Sequence, residues 1–260
     1  MKVTKPLVGK PCYTELYTSD IADAGRFYGG LFGWTAEIDP RSEAQGYGML
    51  KLGGDTIAGL SPLMTPEQPI GWTMSIGVAD ADAAVAAVAK AGGMVMMDPT
   101  DVFDLGRFAF VADPTGAAFS LWQATSFPGS ERIDEDGALV WTELATRDTK
   151  TARDFYTTVF GWSTTDGDMG DGEVYTQWGL DGQDFGGMMD MADHYPPEVP
   201  PNWLLYFGTP DVDASVAKAE QLGGTIIVPA SDIPGTGRFA CIQDPQGAVF
   251  SVYKSSRAMS

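Results

Sequence analysis

The chain contains 260 residues, of which 44% are hydrophobic and 20% are charged. This composition is typical of a packed globular protein and excludes a disordered one, and the length allows one large domain or two of ordinary size. The formal net charge of −19 argues against binding to a phosphate backbone, so we expect no nucleic-acid partner. We interpret the acidity as a solvated surface rather than as an acidic interaction tail.

Targeting signals and paired cysteines are also missing from the sequence. The opening stretch MKVTKPLVGKP lacks the apolar segment of a signal peptide, and no later stretch has the roughly eighteen consecutive apolar residues of a membrane helix. We therefore expect a cytoplasmic protein with no membrane partner. Cys12 and Cys241 form neither a disulfide framework nor a CxxC metal pair, and we expect both to be buried thiols.

The first predicted element is the strand PCYTELYT, whose alternation of apolar and polar residues indicates a half-buried strand. Ser19 and Asp20 can cap the helix that follows, and the FGW sequence ends it. The apolar face of this helix carries Ala24, Phe27, Tyr28, Leu31 and Phe32. Next come strands around YGMLKLGG, DTIAGLSP and WTMSIGV, a second helix from Asp80 to Ala91, and the closing strands GRFAFVAD and AAFSLWQ.

The same series of elements occurs twice. YTELYTSDIADAGRFYGGLFGW, from Tyr13 to Trp34, matches WTELATRDTKTARDFYTTVFGW, from Trp141 to Trp162, at an offset of 128 residues. GRFAFVADPTGAAFSLW matches GRFACIQDPQGAVFSVY at an offset of 131 residues. Because this period far exceeds that of a solenoid, each copy is a domain. We predict an α+β protein with a first domain at residues 1–123, a polar linker at 124–137 and a second domain at 138–260.

These repeated motifs resemble those of the vicinal oxygen chelate superfamily, which includes glyoxalase I, bleomycin resistance proteins and extradiol dioxygenases. The resemblance rests on the helix SD…A..FY..LFGW, the helix V.D.DA.VA.A…GG and the hairpin GRFA…DP.GA.FSLWQ, each present twice. It implies four βαβββ modules that form two glyoxalase-like domains with incomplete β-barrels, each around a cavity. The residues leave open which modules pair, and whether the protein is a monomer or a homodimer.

Enzymes of this family hold a divalent metal ion with His, Gln or Glu at four strand positions. The resemblance places these positions at Tyr13, Leu50 or Lys51, Thr73 and Ser120 in the first copy, and at Trp141, Trp178, Leu204 and Ser251 in the second. None of these residues is a histidine, a glutamine or a carboxylate, and hydroxyl, indole and alkyl groups do not hold Zn²⁺, Fe²⁺ or Ni²⁺. We therefore expect no metal and no cofactor. The single histidine, His194, lies in a loop that is either solvent-exposed or placed over a cavity mouth.

The alternation of the opening strand indicates what the cavities hold instead. If Tyr13 faces inward, Glu15 and Tyr17 do so too, and Glu143 follows Trp141 in the same way. Either glutamate could accept a hydrogen bond from a ligand or act as a general base, or it could form an ion pair with Arg107 or Arg238. The other residues that could contact a ligand, with core packing as the alternative for each tryptophan, are Trp72, Ser120, Trp122, Trp178, Trp203, Ser251 and Tyr253.

From these features we expect a metal-free protein that binds a small aromatic or hydrophobic metabolite, for sequestration or self-resistance. The alternative is an enzyme of the same superfamily. It would be either a metal-independent cyclase, isomerase or hydroxylase-like protein that uses Glu15 or Glu143 as the base, or a glyoxalase or lyase with unconventional metal ligands.

Overall fold

The computed structural model describes residues 1–170, 172–192 and 194–256. Within these ranges each copy of the repeat forms one eight-stranded sheet with two helices. The first copy contains β1 (Pro11–Thr18), α1 (Ile21–Phe32), β2 (Thr35–Ile38), β3 (Gly48–Leu52), β4 (Asp55–Pro62), β5 (Gly71–Gly77), α2 (Ala81–Lys90), β6 (Met94–Val102), β7 (Gly106–Ala112) and β8 (Ala118–Ala124). The second copy contains β9 (Leu139–Thr146), α3 (Thr149–Phe160), β10 (Ser163–Gly170), β11 (Glu173–Leu180), β12 (Gln183–Asp190), β13 (Asn202–Gly208), α4 (Val212–Gln221), β14 (Thr225–Ile233), β15 (Gly237–Gln243) and β16 (Val249–Ser255).

The strand order shows which modules pair. The first sheet runs β2-β3-β4-β1-β5-β8-β7-β6, and the second repeats this order as β10-β11-β12-β9-β13-β16-β15-β14. The antiparallel pair of β1 and β5, with Tyr13 opposite Ser75, joins the two modules of the first copy. The modules therefore close within each copy, and the fold is the expected α+β arrangement of two glyoxalase-like domains.

Each helix begins where the sequence predicts. The side chains of four aspartates accept the backbone N–H three residues further on, which satisfies one of the free donors of a helix start, and these caps are Asp20, Asp80, Asp148 and Asp211. The first helix of each copy ends at a glycine in the left-handed conformation, Gly33 or Gly161.

The helices lie in the interface between the two domains. Helix α1 packs against α4 and α2 packs against α3, and one hydrophobic core runs through both copies. The aspartate of each closing hairpin crosses this interface. The hydroxyl of Tyr28 donates to Asp244 Oδ2 at 3.0 Å, and that of Tyr156 donates to Asp113 Oδ2 at 3.0 Å. The domains are thus joined by buried polar contacts as well as by apolar ones.

The segment between the domains is packed against the first domain. Backbone N–H groups of Phe127, Ser130 and Glu131 donate to carbonyls of Leu105, Cys12 and Thr56, respectively. Both cysteines are free and buried, as predicted. Among the described residues no helix is long and apolar enough to cross a membrane.

Candidate functional site

Each sheet has one face against the helices and one concave face. In β1, Leu16 belongs to the core that the two domains share, whereas Tyr13 belongs to a separate cluster with Cys12 and Trp122. Because side chains alternate along a strand, Glu15 lies on the same face as Tyr13. The concave face of the first sheet is therefore the predicted cavity side, and it is where we build the site.

Glu15 is held by a tyrosine that the repeat analysis did not single out. The Tyr47 hydroxyl donates to Glu15 Oε1 at 2.9 Å, and the hydroxyls of Tyr13 and Tyr47 are 3.1 Å apart. Gly59 lies opposite Glu15 on β4. A Cβ atom there would lie 2.2 Å from the Tyr47 hydroxyl oxygen and 2.9 Å from Glu15 Cγ, so only glycine lets Tyr47 reach the carboxylate.

Burial makes Glu15 unusually easy to protonate. It raises the pKa of Glu15 to about 7, and the hydrogen bond from Tyr47 only partly opposes this. Burial and the charge of Glu15 also raise the pKa values of Tyr13 and Tyr47 well above the ordinary value, so both phenols are neutral donors. Among the described residues only Oε1 of Glu15 receives a hydrogen bond. The other oxygen can accept a proton or a hydrogen bond from a ligand near neutral pH.

Two buried hydroxyls add polar positions beside Glu15. Thr73 lies opposite Glu15 on β5, and Ser120 lies beside Ser75 on β8. Neither Thr73 Oγ1 nor Ser120 Oγ has a hydrogen-bond partner among the residues that the structure describes. Buried hydroxyls are usually paired, so these two are available to a bound molecule.

The other end of the concave face is apolar. Trp122 and Phe108 lie opposite one another on β8 and β7, and Phe127 packs against both Tyr13 and Trp122. At the rim, the guanidinium of Arg41 stacks 4.3 Å above the ring of Phe103. The exposed fraction is 5% for Tyr13, 8% for Glu15 and 9% for Thr73, so a molecule bound here would be almost completely enclosed.

The second domain repeats the arrangement but closes it. Glu143 accepts hydrogen bonds from Tyr175 at Oε2 and from Tyr206 at Oε1, each at 2.9 Å. The indole of Trp141 donates to the Tyr175 hydroxyl at 2.8 Å. Gly187, opposite Glu143, makes room for Tyr175 just as Gly59 does for Tyr47. Both carboxylate oxygens are occupied by protein groups.

The electrostatics of the second carboxylate differ accordingly. Burial raises the pKa of Glu143, and the hydrogen bonds from Tyr175 and Tyr206, together with the charge of His194, oppose the shift. His194 is 3.1 Å from Glu173 and its side chain is 40% exposed, which agrees with the exposed loop position. It lines a surface groove of about 450 Å³ outside the concave face, together with Arg153, Asp166 and Thr176. The ion pair of Arg153 with Asp166 spans that groove.

Several predicted residues lie where the sequence placed them, and others do not. Tyr13, Glu15, Thr73, Ser120 and Trp122 come together on the first concave face, with Tyr17 next along β1. Leu204, Trp141 and Tyr253 lie in the concave cluster of the second sheet, and Ser251 lies beside Tyr206.

Three of the predicted ligand-binding tryptophans belong instead to the core that the domains share: Trp72, Trp178 and Trp203. The indole N–H groups of Trp72 and Trp203 donate to the hydroxyls of Tyr28 and Tyr156 at 2.9 and 3.0 Å, so they support the interface. Of the two residues considered for the second family position, Leu50 is fully buried in this core and Lys51 pairs with Glu37.

The ion pairs considered for the two glutamates are not formed. Arg107 pairs with Asp82 and Asp101, and Arg238 pairs with Asp213 and Asp232. These arginines thus hold the second helix of each domain to the β6–β7 and β14–β15 hairpins. The glutamates are stabilised by tyrosines instead.

Sequence reasoning missed Tyr47, Tyr175, Tyr206 and Phe127. The first two had a signal, because they occupy equivalent positions at the offset of 128 residues in the repeat. Tyr206 had none, because the first copy has Ser75 at the equivalent position. Phe127 lies in the segment assigned to a polar linker.

The residues at the family's metal positions do not fit a divalent metal ion. The first concave face offers one carboxylate, Glu15, among neutral phenols and aliphatic hydroxyls, and such hydroxyls are poor ligands. Across the described part of the chain, no group of three or more His, Cys, Asp or Glu side chains could hold a metal ion. We therefore derive no step through a metal.

Comparison with known proteins agrees with this architecture. Residues 11–121 and 138–252 match the Glyoxalase/Bleomycin resistance protein/Dioxygenase superfamily, and the chain belongs to this superfamily.

Among its relatives, the chain is 40% identical over 251 residues to "Putative glyoxylase CFP32" of Mycobacterium tuberculosis, with 95% of each chain covered. It is 35% identical over 264 residues to "Anthracycline biosynthesis protein DnrV" of Streptomyces peucetius, with 96% of this chain and 94% of that protein covered. The crystal structure of the Mn(II)-bound glyoxalase from Novosphingobium aromaticivorans shares the fold, with a TM-score of 0.65 at 18% identity over 95% of this chain and 82% of that one.

Proposed function

We propose that the first domain binds a small, largely apolar aromatic metabolite that carries a hydroxyl or carbonyl group, and that it does so without a metal ion. The observation that carries this proposal is the state of Glu15. Its carboxyl group is buried, has a pKa of about 7 and keeps one oxygen free of hydrogen bonds from the described residues. A ligand hydroxyl can donate to this oxygen, or a ligand carbonyl can accept its proton.

The surroundings of Glu15 support an aromatic ligand. Tyr13, Trp122 and Phe127 present ring surfaces on one side, and the unpaired hydroxyls of Thr73 and Ser120 lie on the floor. A mostly apolar pocket with a few polar groups is the usual form of a small-molecule site. One relative is named for anthracycline biosynthesis, and anthracyclines are fused-ring aromatic compounds with phenolic hydroxyl groups.

Fluorescence titration tests binding directly. We expect 2-naphthol to quench the tryptophan emission in a saturable way, with most of the change lost in Trp122→Phe. Glu15→Gln should weaken binding about tenfold, since a hydrogen bond to a charged group is worth about 1.5–3 kcal/mol.

The matched control is Glu143→Gln, the same change in the closed second domain, which should leave the affinity unchanged. Protein treated with EDTA should also bind as before. If no quenching occurs, or if Glu143→Gln weakens binding as much as Glu15→Gln, the first-domain site is refuted.

A second candidate function is proton transfer, and the pKa of Glu15 favours it. A carboxylate with a pKa near 7 and a free oxygen is suited to act as a general base. Conversion of a bound ketone, detected by mass spectrometry and abolished in Glu15→Gln, would establish a metal-independent isomerase or cyclase. Unchanged recovery of every bound ketone would leave binding as the function.

A further inference from the structure

We propose that Phe127, from the segment between the domains, determines the length of the aromatic ligand that the first domain accepts. This inference rests on the proposed function and refines it, because it names the ligand class as two-ring phenols rather than longer ones.

The ring of Phe127 closes the apolar end of the concave face. Its centroid lies 5.1 Å from that of Tyr13 at an interplanar angle of 87°, and 6.1 Å from that of Trp122 at 73°. Phe127 thus presents its ring to the two aromatic side chains nearest to the polar anchor, and it marks the point at which a planar ligand would meet protein.

The backbone around Phe127 is fixed from both sides. The N–H of Phe127 donates to Leu105 O at 3.1 Å, its carbonyl accepts the indole N–H of Trp122 at 2.9 Å, and the N–H of Ser130 donates to Cys12 O at 2.8 Å. Gly129 has φ +109° and passes so close to Cys12 that a Cβ atom would lie 2.3 Å from its carbonyl oxygen. Because these contacts are made by the main chain and by Trp122, truncating the Phe127 side chain leaves the segment attached.

The distance from the polar anchor to this wall sets the length of the ligand. Glu15 is two residues from Tyr13 on the same face of β1, which corresponds to about 7 Å along the strand. A two-ring phenol bound to Glu15 fits this span, whereas a linear three-ring phenol would overlap the ring of Phe127. Ligand length is therefore read by a residue outside the repeat.

The test compares two phenols of different length. Dissociation constants for 2-naphthol and 2-anthrol are measured by fluorescence titration with wild type, Phe127→Ala and Phe127→Trp. We expect Phe127→Ala to shift the ratio of the two constants at least tenfold in favour of 2-anthrol, and Phe127→Trp to shift it the other way. Using the ratio removes the general gain in affinity that a larger apolar probe brings.

A purely structural role would give a different result. Destabilisation would weaken both probes alike and lower the melting temperature, which is recorded for each variant, and Phe127→Leu provides a milder truncation. Phe239→Ala, at a half-buried aromatic residue of the second concave cluster, is the matched control and should leave the ratio unchanged. If wild type binds the probes and Phe127→Ala leaves the ratio unchanged, this inference is wrong while the proposed function stands. If wild type binds neither probe, the proposed function fails first.

Discussion

The two domains place a glutamate at the same position of the same strand, yet only one of these carboxylates is left for a ligand. Glu15 has one tyrosine donor, whereas Glu143 has two, because the first copy has Ser75 where the second has Tyr206. The side chain of Tyr206 occupies the space that a ligand would need. One substitution within a duplicated frame thus separates an open site from a closed one, and the fold itself does not distinguish them.

The largest expected effect tests whether the shared frame is equivalent in both halves. Asp113 Oδ1 accepts backbone N–H groups of Thr115, Gly116 and Ala117, and Asp244 repeats this in its own turn. Asp113→Ala and Asp244→Ala should each lower the free energy of unfolding by at least about 3 kcal/mol, because several buried donors lose their acceptor at once.

Urea denaturation measures these changes, with Asp98→Ala at an exposed position as the control. That variant should stay within about 0.5 kcal/mol of wild type. A large loss for one hairpin aspartate and a small loss for the other would show that the two halves are not equivalent as frames.

The next effect tests the difference between the carboxylates by pH. The pKa of Glu15 rises from 4.5 in the unfolded chain to about 7 in the folded one, so the native state binds the proton more tightly. Stability from this group is complete below pH 4.5 and is lost as the pH rises through 7, a total of about 3 kcal/mol. Glu15→Gln remains neutral, so relative to wild type it should become steadily more stable between pH 5 and 8.

Glu143→Gln is the partner measurement in the second domain. Its single carbonyl cannot accept from both Tyr175 and Tyr206, so it should lose about 1 kcal/mol that Glu15→Gln does not lose. Chemical denaturation across the pH range records both variants. Parallel curves for Glu15→Gln and wild type would mean that Glu15 titrates normally.

The smallest effect concerns ligand affinity alone. Ser75→Tyr introduces into the first domain the side chain that closes the second, and it should weaken 2-naphthol binding at least tenfold, or about 1.4 kcal/mol. Tyr206→Ser makes the reverse change and should leave binding by the first domain as it was. A Ser75→Tyr variant that melts like wild type and binds with wild-type affinity would refute Tyr206 as the reason for closure.

Much of the frame could be predicted from the sequence because local signals were consistent. The strand of Tyr13, the aspartate caps and the repeated hairpins all follow from alternation and capping chemistry. The same alternation placed Glu15 on the concave face correctly. It also shows why the expectation for Trp72 was wrong as a cavity residue, since Trp72 is adjacent to Thr73 and must face the other side of β5.

Contacts between distant segments could not be predicted in this way. No local pattern indicates that Tyr28 donates to Asp244, or that a segment with the composition of a linker places Phe127 against Tyr13. The irregularity between Leu50 and Lys51 also shifts the register of β3, so counting residues along the strand misjudges its faces. These features depend on the packing of elements far apart in the chain.

The crossed bonds between the domains have a consequence for the making of this protein. Phe207 of the second half lies 5.0 Å from Trp72 and 5.3 Å from Trp34, and its neighbour Phe250 lies 5.4 Å from Tyr28. During translation the first half therefore leaves the ribosome with an aromatic surface that nothing covers until the second half has been synthesised. Its folding is completed only when the later half arrives, and splitting the gene between the copies would yield two products that each need the other to remain in solution.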